Sequence, residues 1–292
     1  MAVYGHTYKP YEGALTAGWS RFLVVPRYAY ESVFKSKLVG GFFAFCYLCP
    51  LIMLILIYLH HNVGALAALR FNVADLLAID ANFFRFFVTF QGGLGFIFTV
   101  LIGPPLMSRD LANNALPLYL CRPFTRAEYV LGKLSVLLIL LSAINWIPGL
   151  LLFGLQASLA GGGWLSANLW LAWAIVASSG VGIIVLSLLA LTLSAWIKWR
   201  TAASGALFVL FTIPFGLGML INGVFHTRWG HLINLDILIQ TVADGLFRQP
   251  NSMGFPNWMV LPLWAAWLAL GFLCALCLLL LARKVRAYEV VS

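Results

Sequence analysis

Long apolar runs, punctuated by short charged clusters, make up most of this chain. Five stretches carry no Lys, Arg, Asp or Glu: 38–69, 86–108, 134–197, 201–227 and 249–282. A helix that crosses a bilayer needs about 20 apolar residues to cover about 30 Å of hydrocarbon. Four of the runs hold one such helix. The remaining run, 134–197, is 64 residues long, enough for two helices and a turn. The pattern predicts an all-α integral membrane protein with six spans, at 38–60, 84–106, 131–156, 168–195, 203–224 and 259–281.

Composition agrees. Of 292 residues, 62% are hydrophobic and 9% charged, where a soluble domain is nearer a quarter charged. A soluble core would leave large apolar patches exposed. Charge then sets the orientation. With the N-terminus inside, 14 of the 18 basic residues fall in cytoplasmic segments, while the acids divide evenly, so the net +9 lies on one side. That bias predicts cytoplasmic N- and C-termini. The basic balance reflects topology and contact with anionic lipid headgroups, and gives no case for nucleic acid. Residues 1–37 carry five basic side chains and no apolar core long enough for a cleavable signal, so the first span is expected to act as an uncleaved signal-anchor.

The segments between spans have their own signals. In 1–37 a cytoplasmic lead-in mixes Trp19, Phe22, Tyr28, Tyr30 and Phe34 with Arg21, Arg27, Lys35 and Lys37, which predicts an amphipathic helix on the inner leaflet, bent at Pro26. Gly92, Gly93 and Gly95 in the second span, and Ser178, Ser179, Gly180 and Gly182 in the fourth, are small residues suited to close helix packing. Pro104-Pro105 is expected to stop or kink the second span. Gly161 to Gly163 read as an outer turn, near an aromatic belt of Trp164, Trp170 and Trp173. Outer segment 225–258 places Leu235, Leu238, Val242 and Leu246 on one helical face, which suggests a short helix in the outer interface. A cytoplasmic tail occupies 282–292.

One stretch differs from all others. Residues 107–133, between spans 2 and 3, form a charged and proline-marked island with Arg109, Asp110, Arg122, Pro123, Arg126, Glu128 and Lys133. A short helix is expected from Asp110 to Tyr119, broken by Pro117, with Pro123 stiffening the return. The order Asp110, Leu116, Leu118, Leu120, Pro123, Arg126, Tyr129, Gly132, Lys133 resembles the cytoplasmic loop of permease subunits in ABC exporters of the type-2 (ABC-2) class. Asn113 and Asn114 stand where that family often has a glycine. The six-span plan, the basic lead-in and the helical segment before the last span extend the resemblance over the whole architecture.

The resemblance implies a bacterial plasma-membrane transporter half. Its island would be a coupling helix seated in an ATP-binding subunit, which alone holds ATP and Mg, and the chain would pair with a second permease chain. The chain itself would be no enzyme. Gly132-Lys133 is followed by Leu134, and position 127 is Ala, so no phosphate-binding loop is formed. The pairs Cys46/Cys49 and Cys274/Cys277 lie in apolar helices and read as packing residues rather than zinc ligands. His60, His61, His226 and His231 read as headgroup contacts rather than as a metal site. The spans are read as free of ionisable side chains, which argues against an ion pump or a proton-coupled carrier. Their polar residues Asn145, Gln156, Ser178, Ser179 and Asn222 either line a route for a hydrophobic or amphipathic substrate or make interhelical hydrogen bonds. The rival expectation is a structural subunit of a larger membrane complex, with no transport of its own.

Overall fold

The computed structural model describes residues 24–62, 78–113, 125–249 and 251–286. It is helical, and six of its helical segments are long and apolar enough to cross a membrane: Lys37–His61, Ala81–Ser108, Arg126–Ala160, Gly162–Trp196, Arg200–Phe225 and Asn257–Lys284. This is a multi-pass membrane protein. All six expected spans are found, most of them several residues longer than the apolar runs suggest.

The helices are α1 (Val24–Phe34), α2 (Lys37–Phe45), α3 (Leu48–His61), α4 (Ala81–Ala112), α5 (Arg126–Ile144), α6 (Trp146–Ala160), α7 (Gly162–Trp196), α8 (Arg200–Phe225), α9 (Leu235–Leu246) and α10 (Leu263–Arg286). Short 3-10 turns occupy Trp229–Ile233 and Asn257–Met259. Span 1 is α2 plus α3, and span 3 is α5 plus α6. Helix α7 is the hub, touching α4, α5, α6, α8, α9 and α10. It packs tightly on α4 at Gly103, where an added Cβ would lie 2.8 Å from Ala190 Cβ. The expected close packing at Gly92 and Gly93 is absent: a Cβ on either would meet nothing within 4 Å. Among the described residues, no neighbour packs closely on α4 at these two positions.

Two spans are broken near their midpoints, each just before a proline, and one residue compensates both breaks. Pro50 and Pro148 lack the N–H that would bond the carbonyls of Cys46 and Ile144, four residues earlier. An orphaned carbonyl in hydrocarbon costs several kcal/mol. Gln91, fully buried on α4, donates its Nε2 hydrogens to both, at 2.7 Å to Cys46 O and 2.9 Å to Ile144 O. The Tyr47 hydroxyl adds a bond to Ala143 O at 3.0 Å. Spans 1, 2 and 3 are thereby stitched together at one level.

Pro104-Pro105 does not end span 2. Helix α4 continues through both prolines to Ala112. Neighbouring serines bond the helix at this point: Ser204 Oγ donates at 2.9 Å to Val100 O, the carbonyl that Pro104 frees, and Ser194 Oγ donates to Pro104 O at 2.5 Å. Ser194 Oγ also accepts from the N–H groups of Met107 and Ser108. Asp110 is therefore the last turn of a long helix rather than the start of a separate short one.

At the other end of the bundle, Asn234 caps α9 by accepting from the N–H of Asp236 at 3.1 Å and of Ile237 at 3.3 Å. The apolar face of α9 is turned onto the bundle, with Leu235, Leu238 and Val242 buried against α7 and α10. Of the lead-in, residues 1–23 lie outside the described residues; α1 follows and packs on α5. Of the tail, 287–292 also lie outside.

Candidate functional site at the root of the charged island

The local sequence starts α5 firmly. Thr125 is its N-cap, with Thr125 Oγ1 accepting from Glu128 N at 3.2 Å and Glu128 Oε2 accepting from Thr125 N at 2.6 Å. This reciprocal capping box satisfies two orphan donors at the helix start. Its signature, Thr-x-x-Glu, is legible at 125–128 and fixes the direction in which α5 leaves the island.

One turn further, Tyr129 and Lys133 sit four residues apart on the same face of α5. Both point at Asp110 on α4. Lys133 Nζ lies 2.8 Å from Asp110 Oδ2, and the Tyr129 hydroxyl donates to the same oxygen at 2.7 Å. Lys133 Nζ is also 5.7 Å from the centre of the Tyr129 ring. Tyr129 is fully buried and Lys133 nearly so, at 7% exposed. An unpaired ammonium here would carry a desolvation penalty of several kcal/mol, so the carboxylate and the phenol make the site possible. The ends of α4 and α5 are locked to one another, with segment 114–124 strung between them.

The island residues thus divide. Asp110 and Lys133 are brought together. Glu128 holds the cap, and Arg126 is exposed on the first turn of α5. Arg109 lies in the last turns of α4, while Arg122, Pro123 and Cys121 lie outside the described residues. The same end of the bundle holds the α7–α8 turn, with Trp199 77% exposed, and Lys284 over the Trp196 ring at 5.2 Å.

The five polar residues of the spans are engaged in different ways. Asn145 Nδ2 bonds Leu141 O at 3.0 Å, and Ser178 Oγ bonds Ala174 O at 2.6 Å, each within its own span. Asn222 Oδ1 accepts from Gly230 N at 2.7 Å. Gln156 Oε1 and Ser179 Oγ are buried without a hydrogen-bond partner among the described residues.

The expectation that the spans carry no ionisable group is corrected. Lys133 lies about two turns inside α5, and Arg85 lies one turn inside α4 at the opposite end. Arg85 Nε bonds Asp244 Oδ1 on α9, and an Arg85 terminal nitrogen lies 3.3 Å from Gln240 Oε1. Ser252 Oγ donates to the same carboxylate at 2.7 Å. Both charges are tolerated because each has a carboxylate partner on another helix. The described histidines scatter: His60 meets His61 edge to face, His226 lies tilted against Trp258, and His231 stacks on Phe255. Cys46, Cys49, Cys274 and Cys277 are free thiols, and Cys46 falls in the break between α2 and α3 rather than inside a helix.

No family model matches this chain, and no curated protein matches it.

Proposed function

We propose that this chain is the membrane-spanning subunit of an ATP-driven exporter of the ABC-2 type, in a bacterial plasma membrane with both termini cytoplasmic. The observation that carries the reading is the buried Asp110–Lys133 pair beneath the island, braced by Tyr129. A loop that receives force must be joined stiffly to what it moves. Segment 114–124 joins two long helices pinned together at its base, so a push on it displaces spans 2 and 3 as one body. Arg109, Arg122, Pro123 and Arg126 form the docking surface for a nucleotide-binding subunit, which supplies ATP and Mg. Glu128 braces the helix that carries Arg126.

Span 5 supports a second chain beside this one: Phe208, Ile213, Phe215, Leu217 and Leu220 face outward along α8. The apolar character of the spans suits a hydrophobic or amphipathic cargo. Purification from native membranes in mild detergent tests the proposal, with an ATP-hydrolysing protein expected in the particle. In that particle, Arg126→Glu is expected to lower ATPase stimulation severalfold while membrane insertion stays normal. A particle without any nucleotide-binding protein would instead favour a structural subunit, a role consistent with polar span residues that bond within their own helices.

A further inference from the structure

Beneath the loop that joins α9 to α10 lies a cavity of about 310 Å3. Its walls are mostly apolar: Ile237, Met253, Phe255, Met259, Leu261 and Leu263. Five polar side chains also border it, namely His231, Thr241, Asp244, Arg248 and Asn251. Four of these are already engaged. Thr241 Oγ1 donates to Ile237 O at 2.7 Å, and Asp244 is held by Arg85 and Ser252. The Arg248 guanidinium lies 4.5 Å from the Trp170 ring centre. Asn251 bonds the backbone of Phe255 at both ends of its amide.

His231 is the exception. Its ring is fully buried and stacked on Phe255 at 5.1 Å, yet neither ring nitrogen has a hydrogen-bond partner among the described residues. A cavity of this size would hold roughly ten waters, and each needs two to four polar partners. Of the polar side chains here, only His231 has buried atoms left unpartnered among the described residues. The volume lies at the small end of ligand pockets, which are largely apolar with a few polar groups that fix orientation.

We propose that this cavity binds an uncharged amphiphile, an apolar body ending in a hydroxyl, with His231 as the residue that recognises the hydroxyl. A neutral imidazole presents one donor and one acceptor, and a hydroxyl answers both. A cationic head would find no free carboxylate, since Asp244 is already paired with Arg85, and the Arg248 guanidinium lies against the Trp170 ring. Burial also holds the His231 ring neutral, below its ordinary pKa of 6.5. This site stands or falls independently of the exporter reading.

The test uses the full chain in detergent micelles and a diazirine-bearing dodecanol, with a diazirine-bearing dodecane of matched length as control. Photolabelling is expected to saturate, to map to residues 253–263, and to be competed by unlabelled dodecanol. His231→Phe keeps the ring stack and removes both nitrogens; it should weaken half-saturation by the alcohol about tenfold while leaving the alkane within about twofold. His231→Gln, which retains a donor and an acceptor, should restore part of the difference. Val260→Trp, which fills the space, should abolish labelling at 253–263 by both probes. Non-saturable labelling, equal loss of alcohol and alkane in His231→Phe, or labelling untouched by Val260→Trp would each overturn the assignment.

Discussion

Lys133 is charged inside an apolar helix because Asp110 and Tyr129 meet it there, and that arrangement makes a quantitative demand. Removing one member of a buried pair leaves the other uncompensated and typically costs about 3–5 kcal/mol. Asp110→Asn or Lys133→Met should each destabilise the protein by that order in an SDS-titration assay, and the double variant should recover most of the loss. Simple additivity of the two losses would mean the charges do not interact. His231 makes a second demand. Its ring is neutral in the folded protein because burial lowers its pKa, whereas the unfolded ring titrates near 6.5. Below that value the unfolded chain takes up a proton that the folded one refuses, so stability falls as pH drops from 7 towards 5. The stability difference between wild type and His231→Gln should therefore move against wild type over that window. A difference independent of pH would place water or a charge against the ring.

Among elements, Gln91 matters most, because two spans depend on it. Gln91→Leu leaves two buried carbonyls bare and should cost about 1–3 kcal/mol for each that finds no substitute. The measurable sign is a lower thermal midpoint, accompanied by faster hydrogen exchange around Cys46 and Ile144 rather than throughout the bundle. The six spans could be read from the sequence because a run of about 20 apolar residues has few other uses. The breaks in spans 1 and 3 could not. Each proline is visible, but the amide that compensates both comes from a third span, and nothing local announces that partnership. The pairing of Arg85 escaped for the same reason: its carboxylate is 159 positions away, on the outer helix α9. Pro104-Pro105 misled in the opposite sense, because Ser194 and Ser204 on later helices let α4 continue. At the island, the capping box and the Tyr129/Lys133 spacing were written locally; that both aim at Asp110 was not.

On the scale of the whole molecule, the six crossings sort the chain's charges into two ends. The Asp110–Lys133 pair sits at one end and the Arg85–Asp244 pair at the other, and the 32-residue helix α4 carries one member of each. The proposed orientation rests on the distribution of Lys and Arg, 14 against 4 when the N-terminus is placed inside, and on the tendency of basic loops to stay inside. The chain supplies its own probe. Cys121 is the one cysteine in the island, and the other four lie in spans 1 and 6. Replacing those four by serine or alanine leaves a single reporter. In intact cells a membrane-impermeant maleimide should leave Cys121 unmodified and should modify it once the cells are opened. A companion variant carrying Asn251→Cys and no other cysteine should show the reverse, reacting before the cells are opened. Should Cys121 react from outside, the handle and the loop over the cavity would exchange sides, and no ATP-driven partner could reach segment 114–124.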